Sequence, residues 1–196
     1  TVHVEKSEKS TVHIQNSTLK NARANSGGAL FVQGPNTQVE IISSVIDSCS
    51  ASNGGGISIQ TKAQVNITLS NFSFNNAMDG GALSISNGQL IVESCILEQG
   101  NIKTRAKRGG LIHALETSNV IIKESILKNA RAHQGGLIYV GEQSTVHIQD
   151  STLKNATANR NGGALSVNDL GTKIDIVSSF IDSCAAMSDE TCNYVH

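Results

Sequence analysis

A pair of adjacent glycines returns six times along this chain, at 27–28, 54–55, 80–81, 109–110, 135–136 and 162–163, at intervals of 26 to 29 residues. Such regularity forces a repeat architecture, because a unit this short buries its apolar side chains only against copies of itself. After each pair come two apolar positions spaced by two: Leu30/Val32, Ile57/Ile59, Leu83/Ile85, Ile112/Ala114, Ile138/Val140 and Leu165/Val167. A second alternating pair follows each time: Val39/Ile41, Val65/Ile67, Leu90/Val92, Val120/Ile122, Val146/Ile148 and Ile174/Ile176, with Val12/Ile14 one coil earlier. A third element centres on Leu19, Ile46, Phe74, Leu97, Leu127, Leu153 and Ile181.

Alternation with period two in short runs specifies strands. Three strands per repeat make the expected fold class all-β: a three-sided right-handed parallel β-helix of about seven coils, each of about 27 residues. A propeller blade takes roughly 40–50 residues, and a leucine-rich horseshoe carries a helical segment that this periodicity lacks. In a β-helix, like elements lie above one another about 4.8 Å apart. Glycine pairs then mark corners where a Cβ does not fit. Asn21, Asn76, Asn129 and Asn155 read as a stacked amide ladder inside a turn, with Ser48, Gln99 and Ser183 as imperfect rungs.

Residues 10–56 resemble 144–184, and "NSTLKNARANSGGAL" returns as "DSTLKNATANRNGGAL" five coils on. The organisation expected is one β-helix segment over 1–196, part of a longer array, with a five-coil block duplicated. Two irregular corners stand out. Between Leu97 and Ile112 a surplus brings Lys103, Arg105, Lys107 and Arg108 together. Between Val65 and Phe74 lie nine residues rather than seven.

The stretch "FSFNNAMDGGALSI", residues 72–85, resembles the FxxN and GGA[IL] repeat pair of chlamydial polymorphic membrane proteins. Phe72–Asn75 matches the first motif and Gly80–Leu83 the second; GGAL recurs at 27–30 and 162–165. The resemblance implies a β-helical passenger acting as a surface adhesin, although the family's C-terminal barrel has no counterpart in these residues.

With 15 basic and 16 acidic side chains the chain carries no electrostatic footprint for nucleic acid, and no apolar run is long enough to span a bilayer. Parallel β-helices also host pectate-lyase-like enzymes, which need clustered outward carboxylates. The outward column of the first sheet reads Phe31, Ser58, Ser84, His113, Tyr139 and Ser166, without an acid, and that of the second is scattered: His13, Glu40, Asn66, Ile91, Ile121, His147, Asp175. The expectation is therefore no catalytic residue, metal or cofactor. His113 beside Tyr139 reads as a cross-strand pair or a small binding ledge. Of the cysteines, Cys49 and Cys184 sit in a small-residue column as buried thiols, and only Cys184 with Cys192 is near enough in sequence to bond. Sequons at Asn16, Asn66 and Asn71 predict glycans in a eukaryotic secretory pathway, whereas a fourth at Asn155 is expected to be blocked by the ladder.

The reading that follows is an extracellular or cell-surface rod, non-catalytic, with self-association end to end as its expected partnership. The alternatives are an adhesin that binds a glycan or host receptor through the loop of Lys103, Arg105, Lys107 and Arg108, and a carbohydrate-active enzyme.

Overall fold

A computed structural model describes residues 1–5, 10–99 and 106–187, and in them every regular element is a strand. The first sheet stacks Val2–Glu5, Leu30–Gln33, Ile57–Gln60, Leu83–Ser86, Ile112–Leu115, Ile138–Val140 and Leu165–Val167. The second stacks Ser10–Gln15, Thr37–Ile42, Gln64–Thr68, Gln89–Glu93, Asn119–Lys123, Thr145–Gln149 and Lys173–Val177. The third stacks Thr18–Lys20, Val45–Asp47, Asn71–Ser73, Ile96–Glu98, Ile126–Gln134, Thr152–Asn161 and Phe180–Ala186, with Ala106–Arg108 paired beside it. All pairings are parallel, and each joins residues one coil apart, Leu30 with Ile57 and Ile57 with Leu83. Six steps separate the first strand of a sheet from the last, roughly 29 Å at the strand spacing.

The inward columns behave as the alternation predicts. Leu30, Ile57, Leu83, Ile112 and Ile138 are fully buried, as are Ile41, Ile67, Val92, Ile122 and Ile148. They form one continuous apolar cluster running the length of the rod. At its ends the same columns emerge: Val167, Ile176 and Ile181 in the last coil are 50%, 36% and 41% exposed.

Both glycines of each pair are needed, for different reasons. The first adopts φ near +60° at Gly27, Gly54, Gly80, Gly109, Gly135 and Gly162. The second meets the next coil: a Cβ at Gly81 would sit 2.2 Å from the carbonyl oxygen of Gly110. No side chain tolerates that approach, so the column is glycine throughout.

Two sequence expectations are corrected here. In the third sheet Ile46 pairs with Phe72, not Phe74; Phe72 is fully buried while Phe74 is 48% exposed. The nine-residue gap before Phe74 therefore vanishes, because Val65 to Phe72 has the ordinary spacing. Asn76 accordingly leaves the ladder, and bridges Ser50 instead. The true column is Asn21, Ser48, Phe74, Asn129, Asn155 and Ser183, all with φ between 52° and 56°. What they share is a left-handed backbone, which asparagine tolerates better than most residues. Asn129 and Asn155 do pair, Nδ2 of Asn155 donating to Oδ1 of Asn129 at 3.2 Å, but on the exposed side of the corner.

A ladder that the sequence reading missed runs inside the corner between the second and third sheets. Ser17, Ser44, Ser70, Cys95, Ser125, Ser151 and Ser179 stack there. From Ser44 onward each side chain accepts the backbone N–H of the preceding coil's rung, as Ser44 Oγ does from Ser17 and Ser125 Oγ from Cys95, both at 3.1 Å. Each also donates to the carbonyl two residues back, Ser44 to Ile42 and Ser125 to Lys123. A short side chain that both donates and accepts can do this, and these buried amides are thereby satisfied.

Candidate functional site

Three surfaces were singled out by sequence or geometry: the outer face of the first sheet, the basic corner, and the outer face of the second sheet. The first is not a solvent face. Ser58, Ser84, His113, Tyr139 and Ser166 are all buried, and over Tyr139 lies Arg108 of the arm joining the third sheet to the first. The arm's glycine corner sets this closeness: a Cβ on Gly80 would lie 3.2 Å from His113 Cβ.

That arm carries a polar cluster. Asp79 receives two hydrogen bonds from Arg108, from Nε and from Nη2, both at 3.0 Å. The guanidinium lies 5.7 Å from the centroid of the Tyr139 ring, and the His113 ring is 5.5 Å from the same ring at 33°. The pair with Asp79 holds Arg108 above its ordinary range. Burial pushes the His113 imidazole down from 6.5 to about 4, with Asp79 opposing the shift and Arg108 adding to it. Its Nε2 has no hydrogen-bond partner among the described residues. The expected His113–Tyr139 neighbours therefore do meet, as a buried packing pair rather than an open ledge.

The basic corner divides. Lys103 and Arg105 lie outside the described residues. Lys107 is exposed, whereas Arg108 is committed to Asp79 and Tyr139 and is not available as a free cation. The chemistry of Arg108 is that of a clasp, closing the arm onto the rod.

On the second sheet Ile121, His147 and Asp175 of successive coils line a shallow recess of about 290 Å³, with Lys123 and Lys173 beside it. Lys173 Nζ is paired with Asp175 at 3.0 Å. His13 and His147 stand in the same column five coils apart, and His13 pairs with Glu40 at 2.8 Å. Among the described residues no group of three or more His, Cys, Asp or Glu side chains is placed to hold a metal.

The sequon asparagines Asn16, Asn66 and Asn71 are all exposed. So is Asn155, which corrects the expectation that the ladder would shield it: its amide projects outward from the left-handed corner. Cys49 and Cys95 are buried free thiols, with burial pushing both upward. The pairing of Cys184 with Cys192 involves a residue outside the described ones.

The continuous core, the stacked corners and the parallel ladders define a solenoid of the parallel β-helix class. The family model described as "right handed beta helix region" matches residues 2–181, and the chain belongs to that family. No curated protein and no solved structure matches it. Among the described residues no helix is long and apolar enough to cross a membrane, which says nothing of a β-barrel.

Proposed function

We propose that this chain is a non-catalytic structural rod, a spacer segment of an extracellular or cell-surface protein. Its task is to hold length and stiffness, and it is extended by adding coils. One observation carries the reading: polar side chains that a binding or catalytic site would need free are spent on holding coils together. Asp79 is bound by Arg108, and the corner hydroxyls are used twice over. The resemblance of Phe72–Asn75 and Gly80–Leu83 to surface-adhesin repeats supports an outside location. Both motifs have structural employment here, for Phe72 fills the core and Asn75 bonds the Cys49 N–H and the Ile46 carbonyl.

The test is a turnover assay on polyuronates and neutral polysaccharides beside a glycan array, with the full chain. Neither turnover nor saturable binding is expected. Turnover abolished by Asp79→Asn would overturn the structural reading in favour of an enzyme. The exposed Lys107 favours a second reading, an adhesive corner. Glycan binding lost on Lys103→Ala, Arg105→Ala and Lys107→Ala would establish it, and Arg108→Ala is excluded from that set because it opens the clasp.

A further inference from the structure

We infer that a glycan on Asn71 is a structural part of the rod: its first N-acetylglucosamine lies flat on an apolar strip of the third sheet's outer face. The inference rests on the outside location proposed above, and gives one exposed sequon a task.

Apolar exposure in this molecule is concentrated. Away from the first and last coils, the large hydrophobic side chains left exposed among the described residues are Leu69, Phe74, Met78 and Ile96. All four fall between residues 69 and 96, and a patch of this kind marks something that covers it. A sequon lies within it. In the outward column of the third sheet Asn71 stands between Val45 and Ile96, and Ile126 follows Ile96. Leu69, 60% exposed, is two residues before Asn71. By contrast Asn66 has Glu40 on one side, and Asn155 bonds Asn129.

The neighbouring outward column is polar and satisfied within itself. Ser73 Oγ donates to Asp47 at 2.7 Å, and Lys128 pairs with Glu98 at 3.2 Å. The face therefore sets an aliphatic strip beside a charged one. A pyranose has the same division, with C–H groups on its flat faces and hydroxyls around its rim. Seated on Asn71, it places C–H groups against Val45 and Ile96, about 4.8 Å away on either side, and hydroxyls toward the charged strip. A protein partner would have to displace the sugar from the middle of its footprint.

Attachment precedes folding. Phe72, the middle of the sequon, is fully buried, and the Ser73 hydroxyl is engaged with Asp47, so the folded strand cannot enter a transferase. In the unfolded chain Asn71 Nδ2 bonds to C1 of an oligosaccharide carried on a lipid pyrophosphate. The C1–O bond to phosphate breaks, the amide loses a proton, and the lipid pyrophosphate leaves.

A full chain carrying Thr18→Ala, Thr68→Ala and Thr157→Ala keeps a single sequon, at Asn71. Secreted from a eukaryotic host and trimmed to one N-acetylglucosamine, it is compared in urea with the same polypeptide made without sugar. Asn71 should be occupied, and the sugar should lower the unfolding equilibrium constant about tenfold. Ile96→Ser should shrink that gain to less than about twofold, whereas Ile121→Ser, on the outer face of the second sheet, should leave it whole. Proton NMR should show through-space contacts from the sugar ring to the Val45 and Ile96 methyls. If the triple variant does not fold, those same contacts in the otherwise unchanged glycosylated chain decide. An unoccupied Asn71, equal unfolding with and without sugar, a gain indifferent to Ile96→Ser, or missing methyl contacts overturns the inference. Sugar-bearing copies that still pair through this face overturn it too, since the occupant is then a second copy. The host imposes secretion, so none of these outcomes bears on the rod reading, which falls on turnover or ligand binding.

Discussion

His113 carries the clearest pH dependence in the molecule. The unfolded chain protonates this imidazole near 6.5 and the folded chain only near 4, so between those values the unfolded state binds the extra proton. Stability therefore falls as pH drops from 6.5 to 4 and is unaffected above that window. The loss amounts to about 3 kcal/mol, taking ~1.4 kcal/mol per pH unit. Urea midpoints measured across that window should decline in the wild type, and His113→Phe should remove this share of the decline. Gly81→Ala is a harsher change, since its Cβ would stand 2.2 Å from a backbone oxygen that cannot swing aside. A cost on the order of 4 kcal/mol or more is expected in denaturant unfolding. These glycines were legible from sequence because the backbone demand excludes every other residue. The choice between Phe72 and Phe74 was not, since both are aromatic and share the same parity along the strand, so alternation alone fits either. What decides it is the left-handed turn at Phe74 and the two bonds of Asn75, neither of which leaves a periodic mark.

At the scale of the element, the serine ladder explains a cysteine. Cys95 occupies a serine rung: its Sγ accepts the Ser70 N–H at 3.4 Å and faces the Glu93 carbonyl at 3.1 Å. Cys95→Ser should thus be tolerated within about 1 kcal/mol. Ser125→Ala strips the Cys95 N–H of its acceptor and should cost about 1–3 kcal/mol, read from chemical denaturation. The ladder escaped the sequence reading because serine is common in this chain and one rung in the column is not serine. The asparagine column is visible in the sequence, but its common cause is backbone conformation at an exposed corner, not an interior stack. Sequon occupancy follows: glycopeptide mapping after expression in a eukaryotic secretory host should find sugar at Asn16, Asn66 and Asn71, with Asn155 accessible as well.

For the whole molecule, stability is a sum over neighbours and is lowest where a coil has one neighbour instead of two. Amide exchange should therefore be slowest for Ile57–Gln60, Leu83–Ser86 and Ile112–Leu115, and fastest for Lys173–Val177 and Phe180–Ala186. A uniform profile would contradict a nearest-neighbour solenoid. The architecture was readable at this scale from spacing alone, because residues one coil apart meet the same surroundings and selection leaves the same residue types there. The burial of the first sheet's outward column was hidden, since it covers those positions without altering their alternation.

One mechanical consequence follows from bonds that run along the axis. A pull applied to the two chain ends loads them a strand at a time, as a zip is loaded, rather than all together in shear. Force spectroscopy should accordingly record low, evenly repeated rips, each releasing the slack of one 27-residue turn, about 90 Å of extended chain.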